Sequence, residues 1–254
     1  MVMPLWDDNP FTKPVQPWVT WGIIVLNVVV FIVQAGFDTA GEEAIVKAYA
    51  LTPVALMHPN SLVASISTDL TLVSYLFLHA DIFHLFGNMI FLFVFGDDVE
   101  EAMGWLRFIV FYLASGIVGA LAFALSDPQS SIPLIGASAA VSGIIAAYLM
   151  LRPCAKIKVL FSYFVVKLDA YWVIGGWAVW QVLQLATQSN DGVAYWGHVG
   201  GLVAGAALFP LMRQPGVELF ACIEPPEEPS AEPPSSDTSD LPSLPNEPRD
   251  VTIR

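Results

Sequence analysis

The sequence predicts an all-α membrane protein, a bundle of six transmembrane helices followed by a disordered C-terminal tail. Composition is the first observation behind this. The 254 residues are 56% hydrophobic and 13% charged, whereas a soluble domain carries about 25% charged residues. Mean hydropathy is +0.63. The second observation is the pattern: long apolar runs separated by short polar breaks, as in a chain that crosses a bilayer repeatedly. The third is where the charge lies. Net charge is −13, but nine of the 23 acidic residues follow Gln214, among them Glu218, Glu224, Glu232 and Asp250. The acidity is therefore largely a property of the tail, and nucleic acid is excluded as a partner.

Residues 1–17 are polar and punctuated by Pro4, Pro10, Pro14 and Pro17, and form a cytoplasmic N-terminal segment. The first apolar run, Trp18–Gly36, is too long for a signal-peptide core and lacks a clean small-residue cleavage site, so it is a retained span. Residues 37–78 form a long loop with amphipathic helical character over Glu42–Leu51. The loop is too polar to cross and too apolar to be wholly solvated, which suits the membrane interface. Span 2 is Ile82–Val99 and span 3 is Trp105–Leu125. After a loop carrying Pro128 and Pro133, span 4 runs Ser138–Leu151 and is ended by Arg152-Pro153. A basic segment, Lys156–Lys167, leads to span 5, Asp169–Thr187, and span 6 is Trp196–Met212. The domains are thus 1–17, a six-helix membrane domain over 18–212, and a cytoplasmic tail over 213–254. After Gln214 the chain holds nine prolines with many Ser, Asp and Glu, a composition that buries too little to offset the entropy of ordering.

Basic residues set the orientation. With the N-terminus inside, the inner flanks hold Lys13, Arg107, Arg152, Lys156, Lys158, Lys167 and Arg213, and the outer loops hold only Lys47. Both termini are therefore expected in the cytoplasm, in a bacterial plasma membrane since no transit peptide is visible. Cys154 and Cys222 both fall on that inner side, so no structural disulfide is expected. No Cys/His cluster has zinc spacing, so no metal or other cofactor is expected.

Span 4 carries the chemistry. A helix rises about 1.5 Å per residue, so Ser138–Leu151 covers about 20 Å of a hydrocarbon core about 30 Å thick. The helix starts below the outer surface, and the loop Ile132–Ala137 must dip inward to reach it. Irregular backbone at that depth requires a protected, wet cavity. Ser138 then stands at the floor of a water-filled pocket, at a helix N-terminus whose unpaired N–H groups can stabilise an oxyanion. Gly136 removes a side chain where a substrate backbone would approach. In span 6, Gly197, Gly201 and Gly205 recur every four residues and form a close-packing face. Ser138, Ala139, Ser142, Gly143, Ala146 and Ala147 offer a matching face on span 4. Packing the two brings His198 within reach of Ser138 as a general base. No Asp or Glu lies in spans 4 or 6 to orient the imidazole, so a two-residue dyad is expected. In span 2, His84 and Asn88 are one helical turn apart and can both donate to an anion. His79 lies at the junction before that span.

These motifs resemble those of the rhomboid intramembrane serine proteases: His-x-x-x-Asn (His84, Asn88), Gly-x-Ser (Gly136, Ser138) and His-x-x-Gly-x-x-x-Gly (His198, Gly201, Gly205), with Glu100-x-x-x-Gly104 after span 2. The resemblance covers roughly residues 18–212. It implies a six-helix rhomboid-like bundle, a catalytic Ser138–His198 dyad, and an oxyanion site of His84, Asn88 and the Ser138 backbone N–H. His79, Glu100, Gly104, Gly201 and Gly205 are expected to support it. The implied partners are transmembrane protein substrates in the lipid bilayer, cleaved in or near their spans. The sequence is silent on oligomeric state. It departs from the family in having Leu70-Thr71 where many relatives carry Trp-Arg, Ala139 where many have Gly, and Ser142 where some place an aromatic that stacks on the histidine.

Two rival readings remain: a catalytically inactive relative that binds client transmembrane helices, and a proton-coupled transporter using His84 and His198 as a relay. The transporter predicts repeated halves, and the sequence shows no internal repeat. Asp81 and Asp169 are expected at solvated span ends, and His58 in an ordinary loop.

Overall fold

The computed structural model describes residues 2–7, 16–58, 68–161, 164–187 and 191–222. Strand β1 (Val2–Asp7) precedes α1 (Trp18–Ala35). The first loop holds three short helices, α2 (Thr39–Tyr49), α3 (Pro53–Met57) and α4 (Thr68–Ser74), and a 3-10 turn over Tyr75–Phe77. Then come α5 (Ile82–Met103), α6 (Trp105–Ser126), α7 (Ser138–Leu151), strands β2 (Lys156–Phe161) and β3 (Phe164–Asp169), α8 (Ala170–Ala186) and α9 (Tyr195–Met212). Three of these helices, α1, α5 and α6, are long and apolar enough to cross a membrane by length and composition.

Helix α7 is the centre. Nearly all its side chains are buried, and α5, α6, α8 and α9 pack around it. The outer helices invert the usual pattern. The buried residues of α1 are Thr20, Asn27 and Gln34, seven apart, while Val25, Val29, Ile32 and Val33 face outward. Polar residues inside and apolar ones outside suit a helix whose solvent is lipid.

Local chemistry explains the helix ends. Pro17 gives α1 no side-chain cap. Glu100 of α5 supplies one, accepting from the backbone N–H of Val19 (3.1 Å) and Thr20 (2.8 Å) and from the Thr20 hydroxyl (2.8 Å). Gly104 ends α5 and starts α6 with φ +81°, a conformation glycine adopts without penalty. Asp81 caps α5, accepting from the N–H of Phe83 (2.7 Å) and His84 (2.9 Å). Those donors hold its carboxyl below the ordinary range. Asp169 precedes α8 and pairs with Lys156 at 2.5 Å.

The structure corrects two expectations. The fold is not wholly helical. The first is the sheet: β1, β2 and β3 form an antiparallel sheet in that order, so part of the N-terminal segment and the basic segment are strands. Ile157 and Val159 point inward, 0% and 1% exposed, while Lys156 is exposed, the alternation of a half-buried strand. Pro4 sits where the β1–β2 register shifts, on an edge strand, a place that tolerates proline. The Asp7 carboxylate accepts from the buried Tyr148 hydroxyl at 2.6 Å. The second is the cysteines. Cys154 and Cys222 are joined by a disulfide, with Cα atoms 5.1 Å apart. Chain geometry, not compartment, brings the two cysteines together. The backbone turns after α9, and the Phe220 N–H donates to the Met150 carbonyl at 2.6 Å, which returns Cys222 to the end of α7. The tail beyond residue 222 lies outside the described residues.

Candidate active site

Ser138 begins α7 on a loop pinned at two points by three backbone hydrogen bonds. Leu51 and Leu134 form an isolated antiparallel bridge, with N–H to carbonyl distances of 3.2 and 2.7 Å. The Gly136 N–H donates to the Tyr75 carbonyl at 2.9 Å. Leu134 and Ala137 are 4% and 0% exposed, so the loop does dip into the protein. Gly136 has φ +111°, and a Cβ there would lie 2.6 Å from the ring carbon Cε1 of His84. Glycine is thus required twice, by conformation and by space.

The close packing of α7 on α9 follows from glycine. A Cβ on Gly201 would overlap the Ala139 carbonyl oxygen, and one on Gly205 the Gly143 carbonyl oxygen. That approach puts His198 Nε2 2.9 Å from Ser138 Oγ. The other ring nitrogen, Nδ1, lies 2.8 Å from Oε1 of Gln181 on α8. The orienting group is thus an amide on a third helix, not a carboxylate on spans 4 or 6. The signal available was a pair of glutamines, Gln181 and Gln184, in an apolar run, of which Gln181 is 4% exposed in the fold. Trp177, one turn earlier on α8, lies with its ring centroid 6.2 Å from that of His198 at 33°, and Tyr195 meets the imidazole edge-on at 6.3 Å. An aromatic neighbour therefore comes from α8 instead of from the Ser142 position. Ser142 bonds back to the Ser138 carbonyl at 2.6 Å.

His84 and Asn88 face the same cavity from α5. The Ala80 N–H meets His84 Nδ1 at 3.5 Å, the outer limit of a hydrogen bond. It leaves Nε2 as the donor, on the side of Gly136. Asn88 Nδ2 donates one hydrogen to the His84 carbonyl at 3.0 Å and keeps a second. The cavity encloses about 520 Å³ and is lined by Ser138, His198, His84, Asn88, Trp177 and Phe91 among others. A second, more apolar space of about 790 Å³ adjoins it between α5 and α8, sharing His198, Trp177, Phe91 and Ile145. His79 is fully buried behind His84, ring centroids 5.1 Å apart and edge-on. Burial, with help from His84, pushes its pKa down to about 4, so it packs as a neutral ring.

Ser138, His198, His84 and Asn88 thus share one cavity, Gly136 lies against the His84 ring beside it, and Gly201 and Gly205 lie against the α7 backbone, with His79 behind His84. Glu100 and Gly104 do not join them. Glu100 lies sixteen residues beyond His84, about 24 Å along the helix, and its carboxylate caps α1. His58 sits at a loop surface, its ring 3.0 Å from Gln129.

A family model described as "Rhomboid domain" matches residues 68–215, more than half of the chain and every residue of the cavity. The chain belongs to the rhomboid family. Among curated relatives, RHOMBOID-like protein 5 of Arabidopsis thaliana is 37% identical over 78 residues, covering 31% of this chain and 25% of that protein. Inactive rhomboid protein 1 of Drosophila melanogaster is 36% identical over 80 residues, 32% of this chain and 6% of its own. Rhomboid-like protease 3 of Toxoplasma gondii is 33% identical over 136 residues, 54% of this chain and 49% of its own. This rhomboid chain spans about half the length or less of the curated relatives it matches.

Proposed function

We propose that this rhomboid chain is an intramembrane serine endopeptidase that hydrolyses peptide bonds in or near transmembrane segments of membrane proteins. Helices α1, α5, α6, α7, α8 and α9 are its six spans, both termini lie on the basic, cytoplasmic face, and the cavity opens toward the opposite face. Matched relatives occur in Bacillus subtilis as well as in plants, animals and Toxoplasma gondii, so the proposal names no host membrane.

Ser138 Oγ attacks the scissile carbonyl carbon while its proton passes to His198 Nε2. The oxyanion that forms meets the Ser138 N–H, the second Asn88 hydrogen and the His84 Nε2–H, donors already held by the backbone. The carbon–nitrogen bond then breaks as His198 returns the proton to the leaving amine, and water releases the acyl group by the same route in reverse. The apolar space between α5 and α8 fits an unwinding substrate span, and the adjoining polar cavity admits water.

The observation that carries this is the 2.9 Å contact of His198 Nε2 with a half-exposed Ser138 at a helix start. The rival is a non-catalytic relative that binds client helices. A fluorophosphonate probe separates them: the protease forms an adduct at Ser138, located by mass spectrometry of tryptic fragments, and the binding protein forms none.

A further inference from the structure

A serine–histidine pair works as a base only in one tautomer. Nε2 must carry the lone pair toward Ser138, so Nδ1 must carry the hydrogen. Something has to hold that hydrogen in place. Among the described residues, the group at Nδ1 is the Gln181 amide oxygen, 2.8 Å away. A carbonyl oxygen accepts and never donates, so its contact fixes the hydrogen on Nδ1 and turns Nε2 toward Ser138 Oγ at 2.9 Å. Gln181 is 4% exposed, and an amide buried in an apolar helix costs free energy unless it is paired. Trp177 and Gln181 are four residues apart and share a face of α8. One helix thus supplies both a ring beside the imidazole and the acceptor at its edge.

We propose that Gln181 is the positioning residue of the nucleophile–base pair, a neutral third member that selects the His198 tautomer. This rests on the protease reading above. During attack, the Ser138 proton moves to Nε2, the new bond joins Oγ to the carbonyl carbon, and the Nδ1 hydrogen stays on Nδ1, donating to Gln181. When the carbon–nitrogen bond breaks, the Nε2 proton leaves with the amine and the starting tautomer returns. Being uncharged, Gln181 does this without burying a carboxylate beside the site. It also leaves the imidazolium less stabilised than a carboxylate would.

The test uses the full chain in detergent as wild type, Q181L, Q181E and S138A, with ¹⁵N-histidine NMR and steady-state cleavage of a single-span substrate. His198 signals are assigned by their loss in H198A. The wild type is expected to show a protonated Nδ1 and an unprotonated Nε2 at neutral pH. Q181L loses that preference, and its kcat falls roughly 10–100-fold, the scale seen when the hydrogen-bond partner of a metal-bound imidazole is removed, with KM little changed. Q181E regains turnover relative to Q181L, and the acid limb of its kcat/KM profile moves to higher pH, because a carboxylate favours the charged imidazole. A wild-type His198 protonated at Nε2, or a Q181L enzyme with wild-type kcat and tautomer, overturns the proposal. If wild type and S138A both fail to cleave, the protease reading falls, and the wild-type NMR spectrum still decides the role of Gln181.

Discussion

A Cβ on Gly201 would overlap the carbonyl oxygen of Ala139, so α7 and α9 touch backbone to backbone beside Ser138 and His198. The separation of serine and imidazole is therefore set by the absence of a side chain three residues along α9. Replacing Gly201 with Leu should part the helices, lower stability by about 1–3 kcal/mol or more, and remove cleavage. G205A should act the same way more weakly on activity, since it lies farther from the pair. Thermal unfolding in detergent beside a cleavage assay measures both. A G201L protein with normal turnover would contradict the packing account.

Gly136 separates activity from stability. Its φ of +111° and its nearness to the His84 ring mean that G136A strains the loop and displaces that ring. The conformational penalty is about 1–2 kcal/mol, too small to unfold the bundle. Fluorophosphonate labelling of Ser138 should slow at least tenfold while the melting temperature moves by only a few degrees. Labelling at the wild-type rate would show that the His84 side of the cavity does not matter.

Glu100 predicts the reverse. Its carboxylate caps α1 through three donors, far from Ser138. E100A leaves buried N–H groups unpaired, a loss of about 1–3 kcal/mol, and E100Q should fall between it and wild type. Both variants should retain the wild-type rate per folded molecule. Guanidinium or detergent denaturation, with activity normalised to folded protein, checks this. An unchanged unfolding curve for E100A would refute the cap.

The Cys154–Cys222 bridge is directly measurable. In protein purified without reductant, maleimide should modify neither cysteine of the denatured chain, and should modify both after reduction. Two free thiols before reduction would show that the pair is not joined.

Most helices were legible because a membrane span announces itself. The run from Trp18, the 22 residues of α5 and those of α6 are apolar for longer than a soluble helix needs, and proline or glycine marks their ends. The start of α7 at Ser138 followed from a glycine and two prolines before it. The sheet is hard to see because the charges of Lys-Ile-Lys-Val-Leu-Phe speak to orientation and only its alternation speaks to strand. The partner β1 carries Pro4, which argues locally against a strand, and a pairing some 150 residues apart leaves no local trace. Ser138 and His198 were visible because their glycine neighbours name the packing face. Gln181 was not, because nothing near it in sequence says which helix its amide will meet.

The most direct test of the central claim is cleavage of a single-span reporter by purified protein in liposomes, wild type beside S138A and H198A. The account predicts a defined cut in or near the reporter's span with wild type, and none with either variant, while all three melt at similar temperatures. Cleavage by S138A at the wild-type rate would contradict it.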